Sequence, residues 1–348
     1  MEGNKILFLL IITLALVAGS MIGKVDGAIG LPRDGLTRQY YKKTNTCENV
    51  EAFVKHQVKL FWEKDHSITP KLLRLLYSDC MVTGCDGSIL LDGVNSEKTA
   101  PQNAGLGAFV IIDKVKEVVE DRCPGAVSCA DLLVLTTRDA VALAGGPSYI
   151  VLTGRKDGFT SKASNVDLPS PYISLNDGLK YFKDRGLDVQ DYTTLLAGAH
   201  SMGKARCRYI RDRLYNFQGT GKPDPTLDSS KLKDLTSQCP PKQRLGEHEG
   251  LVYLNNDSGQ NYKFTNSYYK NILSSKGVLR VDQGLYYGND TLQLTQQFSD
   301  PLAGFQDFKK AFALSINRMG SYNVLVGNQG EIRRHCHYTN SNNPHLQR

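Results

Sequence analysis

The chain has 348 residues, enough for one large or two ordinary domains, and its 41% hydrophobic and 22% charged residues match globular proteins. That composition excludes a polytopic membrane protein, a collagen-like fibre and wholesale disorder. A net charge of +7, with no Lys/Arg block interleaved with aromatics, suits contact with a wall or membrane surface and gives no sign of nucleic-acid binding.

Lys5 precedes an apolar run from Ile6 to Ala18, followed by small and polar residues up to Gly27-Ala28. This is the n-region, h-region and cleavage pattern of a secretory signal, so residues 1–27 are expected to be removed. The run is shorter than the roughly 20 residues that span a bilayer. Extended through Gly23 it would serve as a signal anchor instead. No second run of spanning length follows, so no stable membrane insertion is expected after signal removal. The expected location is extracellular or cell wall.

Export gives the eight cysteines a meaning. In an oxidising compartment Cys47, Cys80, Cys85, Cys123, Cys129, Cys207, Cys239 and Cys336 are expected to form four disulfides. Spacing favours only Cys80–Cys85; the other partners stay open at this level. No CxxC pair exists to hold zinc. Asn256-Asp-Ser and Asn289-Asp-Thr become glycan acceptors.

Most of the mature region reads as helix. Asn49–Glu63 places Val50, Phe53, Val54, Val58 and Phe61 on one stripe. Pro70 can occupy the first turn of a helix through Lys71–Ser78. Phe109–Arg122 carries Val110, Ile111, Val115, Val118 and Val119, and Cys123-Pro124-Gly125 stops it. Ser128 is an N-cap candidate for Cys129–Leu143, which Gly145-Gly146-Pro147 ends. Further helices are predicted over Leu175–Arg185, Asp191–Ala197, Met202–Arg213, Ser229–Gln238, Asn266–Ser274, Asp290–Asp300 and Pro301–Met319. Short strands are predicted near Tyr149–Leu152 and Asn323–Val326. No repeat or long linker divides residues 28–348, which read as a single all-α domain with minor strands.

Several stretches stand out together: Arg74-Leu-Leu-Tyr-Ser-Asp-Cys80, Gly84-Cys-Asp-Gly-Ser-Ile-Leu-Leu-Asp92, Val127-Ser-Cys-Ala-Asp-Leu-Leu133, Gly154-Arg-Lys-Asp-Gly158 and Leu196-Ala-Gly-Ala-His-Ser-Met-Gly203. Arg211-Asp-Arg-Leu-Tyr-Asn-Phe217, Phe264-Thr-Asn-Ser-Tyr-Tyr269 and Asp282-Gln-Gly-Leu285 follow. In this order and spacing they resemble the secretory plant haem peroxidases (class III), from about Leu36 to Cys336. The resemblance implies a haem b between distal and proximal helical lobes, and two structural Ca²⁺ ions. It also implies the disulfides Cys47–Cys123, Cys80–Cys85, Cys129–Cys336 and Cys207–Cys239. The implied substrates are H₂O₂ and small phenolic donors, and a monomer is expected.

By this resemblance His200 is the iron ligand. A buried carboxylate on its other nitrogen, Asp282, would give the imidazole anionic character. Peroxide cleavage further needs a base to move a proton and a cation to stabilise developing charge. The family supplies these as Arg and His four apart on one helix face. Here Arg74 is present but Ser78 stands at the His position, after Tyr77. A hydroxyl cannot take a proton near neutral pH as an imidazole of pKa about 6.5 does. Losing a general base costs roughly 10²- to 10⁴-fold, or about 3–5 kcal/mol of barrier. Asn103, which in the family holds the distal His, remains without that partner. His56, His248, His335 and His337 offer no obvious substitute.

The distal Ca²⁺ set implied by the resemblance is complete: Asp79, Asp86, Ser88 and the carbonyls of Val82 and Gly84, with Glu97 acting through water. The proximal set is eroded. Ser201 stands where the family has Thr, Gln260 replaces a Thr, and Thr265 replaces an Asp, while Asp257 and Lys263 complete the positions. The carbonyl of Pro169 would accept a phenolic hydrogen bond, and Tyr209 lies where an aromatic borders the substrate channel. Two functions are therefore expected to compete: an extracellular peroxidase of weakened activity, or a haem-binding peroxidase-like protein that binds, senses or scaffolds in the wall.

Overall fold

The structure, a computed structural model, describes residues 35–242, 248–255, 259 and 261–346. The expected secretory signal, Asn256, Asp257 and Gln260 lie outside them. In the first half, helices run over Tyr40–Lys43 (α1), Val50–Lys64 (α2), Ile68–Cys80 (α3), Phe109–Arg122 (α4) and Cys129–Leu143 (α5). In the second half they run over Leu175–Lys183 (α6), Val189–His200 (α7), Arg211–Tyr215 (α8), Ser229–Gln238 (α9) and Ser267–Leu273 (α10). Arg280–Gln283 (α11), Asn289–Ser299 (α12) and Gly304–Gly320 (α13) complete them. Two antiparallel ribbons are added: Thr37–Arg38 (β1) with Leu152–Thr153 (β2), and Lys204–Arg206 (β3) with Leu251–Tyr253 (β4). The protein is all-α with minor strands.

Capping chemistry sets the key helix starts. Ser128 is extended and its hydroxyl accepts the Asp131 N–H, opening α5 at the predicted residue. Asp188 and Asp191 form a reciprocal capping box that starts α7, two residues before the predicted Asp191. α5 is buried over nearly its whole length and packs against α2, α3 and α4. In the second half α7 packs against α6, α12 and α13. The α3 helix touches both α7 and α13, so it stands where the two groups meet.

Three predictions need correction. Met202–Arg213 is not a helix: it contains β3, a 3₁₀ turn at Cys207–Tyr209 and only the start of α8. Gly203 sits at φ +87°, and a Cβ there would lie 2.9 Å from Pro70 at the start of α3. That close approach is open only to glycine, and it ends any helical path after His200. Val110 is not a core residue but 66% exposed. The predicted Asn323–Val326 strand is reduced to a single bridge, Lys156 to Leu325.

All four disulfides form with the implied pairing, and no cysteine is free. Cys129–Cys336 ties the C-terminal segment to the first residue of α5 across 207 positions. Beside it, Arg333 is fully buried and donates to the carbonyls of Gly87 (2.8 Å), Cys336 (3.2 Å) and Gly158 (2.6 Å). No helix among the described residues is long and apolar enough to cross a membrane.

Candidate active site

α3 carries the distal residues one helical turn apart. Arg74 donates through Nη2 to the carbonyls of Gln102 (3.1 Å) and Ala104 (3.3 Å), either side of Asn103. Desolvation holds its guanidinium below the ordinary value; Tyr209 opposes this and Arg206 adds to it. Ser78 is 1% exposed. Asn103, also buried, donates through Nδ2 to the Glu97 carbonyl at 2.9 Å, whereas its Oδ1 is buried with no hydrogen-bond partner. An unpaired buried acceptor costs about 1–3 kcal/mol, so this atom keeps its capacity to accept a donor. Tyr77 is no substitute base, because burial pushes its phenol far above the usual range.

The remaining histidines stand elsewhere. His56 and His248 are exposed. His335 and His337 lie near the C-terminus with their rings tilted against each other, and His337 bonds Asp92 and Asp113, both at 2.9 Å.

His200 is the last residue of α7. Its Nδ1 lies 2.8 Å from Oδ1 of the fully buried Asp282, the third residue of α11. With Nδ1–H donated to a carboxylate, Nε2 keeps its lone pair, the state an iron ligand requires. The other carboxylate oxygen of Asp282 accepts the Tyr268 hydroxyl at 2.6 Å. Sequence reasoning gave Tyr268 no role, although it lies in the Phe264–Tyr269 motif.

The residues of the implied distal calcium loop converge. Asp79 accepts the N–H groups of Gly87 (3.0 Å) and Ile89 (3.3 Å), and Asp86 accepts that of Ser88. Ser88 Oγ donates to Glu97 Oε2 at 3.4 Å, while Glu97 Oε1 is buried and unpartnered. Gly84 is mandatory, because a Cβ would stand 2.3 Å from the Asn323 carbonyl. Desolvation, followed by repulsion from Asp86 and Glu97, pushes Asp79 well above the carboxylate range. Desolvation, with Asp86 adding to it, pushes Glu97 to about 8. Such a charge-starved acidic set fits a divalent cation. Among the described residues no three His, Cys, Asp or Glu side chains suffice to ligate a metal alone. Calcium is not limited to such groups, because carbonyl and hydroxyl oxygens serve it equally.

The implied proximal set is arranged differently. The buried Asn255 donates through Nδ2 to the Ser201 carbonyl at 3.1 Å and to Ser267 Oγ at 2.8 Å. Thr265 and Ser267 hydroxyls meet at 2.8 Å. Lys263 is exposed. A neutral hydrogen-bond network thus joins Ser201, Asn255, Thr265 and Ser267, and no carboxylate takes part in it.

At the expected substrate edge, Pro169 and Tyr209 are both half-buried. The Tyr172 hydroxyl donates to the Arg208 carbonyl at 2.6 Å, and Arg208 and Arg206 share Glu249. The Pro171 carbonyl accepts the N–H of Val281, beside Asp282, so this loop is joined to the proximal side. A surface cavity of about 630 Å³ lies between α6 and the start of α12, and no candidate catalytic residue lines it. Asn289 stands exposed on its rim.

Comparison with known proteins agrees with this geometry. The profile of the family described as Peroxidase matches residues 50–301. The chain is 59% identical over 332 residues to "Probable peroxidase 61" of Arabidopsis thaliana, covering 94% of this chain and 96% of the relative. It is 59% identical over 305 residues to "Probable peroxidase 26" of the same plant, covering 88% and 90%. It is 39% identical over 301 residues to the "Lignin-forming anionic peroxidase" of Nicotiana tabacum, covering 85% and 90%. The chain belongs to the peroxidase family. Membership implies haem, H₂O₂ and an oxidisable donor.

Proposed function

We propose that this protein is an extracellular haem peroxidase that oxidises phenolic donors by one-electron steps, with a rate of peroxide activation lowered by the serine at position 78. The reading rests on one observation above all: Asn103 keeps its hold on the Glu97 carbonyl but its Oδ1 has no donor. His200, through Nε2, would hold the haem iron, and Asp282 would fix its tautomer. Bound haem would supply the iron at which the peroxide O–O bond is cleaved. Arg74 would supply the positive charge that stabilises the departing oxygen. No side chain on the distal wall takes up the peroxide proton. That proton leaves through solvent instead, which makes the step slow at neutral pH.

Asp79, Asp86, Ser88 and the carbonyls of Val82 and Gly84 would hold one Ca²⁺, while the proximal site is replaced by the Asn255 network. Pro169 and Tyr209 would border the donor site, and Asn289 would carry a glycan. A haem protein without significant turnover is the second reading, and the same Ser78 favours it. Stopped-flow measurement of the reaction with H₂O₂, wild type against Ser78→His, separates the two. A small but saturable wild-type activity supports a weakened peroxidase, and none above free haem supports a binding protein.

A further inference from the structure

Asp282 divides its two oxygens between two donors, one half-buried and one buried: Oδ1 faces His200 Nδ1 at 2.8 Å, and Oδ2 accepts the Tyr268 hydroxyl at 2.6 Å. Tyr268 and Asp282 are both fully buried. Burial, reinforced by the neighbouring carboxylate, pushes the phenol well above its ordinary value, so it remains neutral and donates. Its oxygen in turn accepts the Val278 N–H at 3.3 Å, which polarises the O–H bond and strengthens the donation. The segment that provides this N–H is itself braced. Arg213, fully buried, donates to the carbonyls of Gly277 (2.5 Å) and Val278 (3.1 Å) while paired to Asp224 at 2.9 Å.

We propose that Tyr268 is a positioning residue that sets how strongly His200 donates electrons to the haem iron, by drawing charge from Asp282 and fixing the plane of its carboxylate. The proposal rests on the reading of His200 as the iron ligand. A carboxylate that shares its charge with a phenol pulls less on the Nδ1 proton, and the imidazole is correspondingly less anionic. Removing the phenol O–H concentrates charge on Asp282, strengthens that pull and favours the ferric over the ferrous state.

The neighbouring tyrosine provides the control. Tyr269 is equally buried and feels the charge of Asp282, but its hydroxyl donates to the Thr193 carbonyl at 3.2 Å. The test uses the full haem-loaded protein. Tyr268→Phe is expected to move the ferric/ferrous midpoint potential to more negative values and the ferrous iron–histidine stretching band to higher frequency. Tyr269→Phe is expected to leave both in place. Should Tyr268→Phe fail to fold or to retain haem, a fluorinated tyrosine placed at position 268 keeps the ring and offers a stronger donor. It should shift the potential the other way. An unchanged potential, or shifts of the opposite sign, would overturn the proposal. If His200→Ala retained the wild-type ligation spectrum, the underlying assignment of the iron ligand would fall instead.

Discussion

Asn103 binds the carbonyl of Glu97 at 2.9 Å with its amide nitrogen, and its amide oxygen, equally buried, accepts nothing. Ser78→His is therefore expected to fill an existing acceptor rather than to build a new site. The second-order rate constant for H₂O₂ should rise by roughly 10²- to 10⁴-fold. Its pH profile should also change shape. The wild-type rate should climb steadily into the alkaline range as solvent removes the proton. The variant should level off above the imidazole pKa, near about 6.5. Equal rates in the two proteins would dismiss the weakened-site reading.

The acidic set around Asp79 predicts a pH-dependent need for calcium. Without a cation, burial raises the folded-state pKa of Asp79, Asp86 and Glu97, the last to about 8. Carboxyls raised in this way favour the fold when protonated, and that contribution is lost as pH rises through their folded values. The gap in Tm between calcium-loaded and chelated protein should thus widen from pH 5 to pH 8. One tightly held ion per molecule is expected from metal analysis. Two would contradict the reading of the proximal side.

His337 predicts a second pH effect, of separate origin. It bridges Asp92 and Asp113, with Lys98 bonded to Asp92 at 2.6 Å and the rings of His335, His345 and Tyr338 packed nearby. The bond to Asp113 raises its pKa; desolvation opposes this, the bond to Asp92 adds to it, and Lys98 opposes it. The stabilisation is complete below the unfolded value of about 6.5 and is lost as pH climbs through the raised folded value. His337→Gln should consequently be less stable than wild type at pH 5.5 and nearly equal to it at pH 9. His337→Arg, which keeps a cation throughout, should remove the pH dependence. Denaturant midpoints across this range provide the check.

Arg155 and Asp131 form a fully buried ion pair at 2.7 Å, and Asp131 also accepts the Tyr41 hydroxyl at 2.6 Å and the Gly154 N–H at 2.7 Å. Arg155→Met leaves that carboxylate without its cation and frees the Gly320 carbonyl that Arg155 also binds. Chemical denaturation should show a loss of about 3–5 kcal/mol. A change below 1 kcal/mol, roughly the worth of an exposed pair, would mean that the pair is solvated in solution.

Much of this was legible in the residue order. Phe109–Arg122, Cys129–Leu143 and Ser229–Gln238 appear as helices at the predicted residues; Ser128 and Asp228 cap the second and third, and Cys123-Pro124-Gly125 stops the first. The stretch after His200 misled, since Met202, Ala205 and Ile210 mimic helical spacing. The strand Lys204–Arg206 depends on Leu251–Tyr253, a partner that no local pattern reveals. The site divides in the same way. Arg74, His200 and Asp282 sit in motifs that can be read directly. Tyr268 acts through a residue 14 positions away and Asn255 through one 54 away, so their roles emerge only when the chain is folded.

An amide hydrogen is covalently attached, and no chelator can strip it from the Ser201 carbonyl. The segment that presents His200 is thereby anchored by ordinary protein atoms. If calcium binds only at the Asp79 set, as proposed above, its depletion would slacken the wall bearing Arg74 while sparing the opposite one. Two halves of a single pocket would then answer to different chemical supplies.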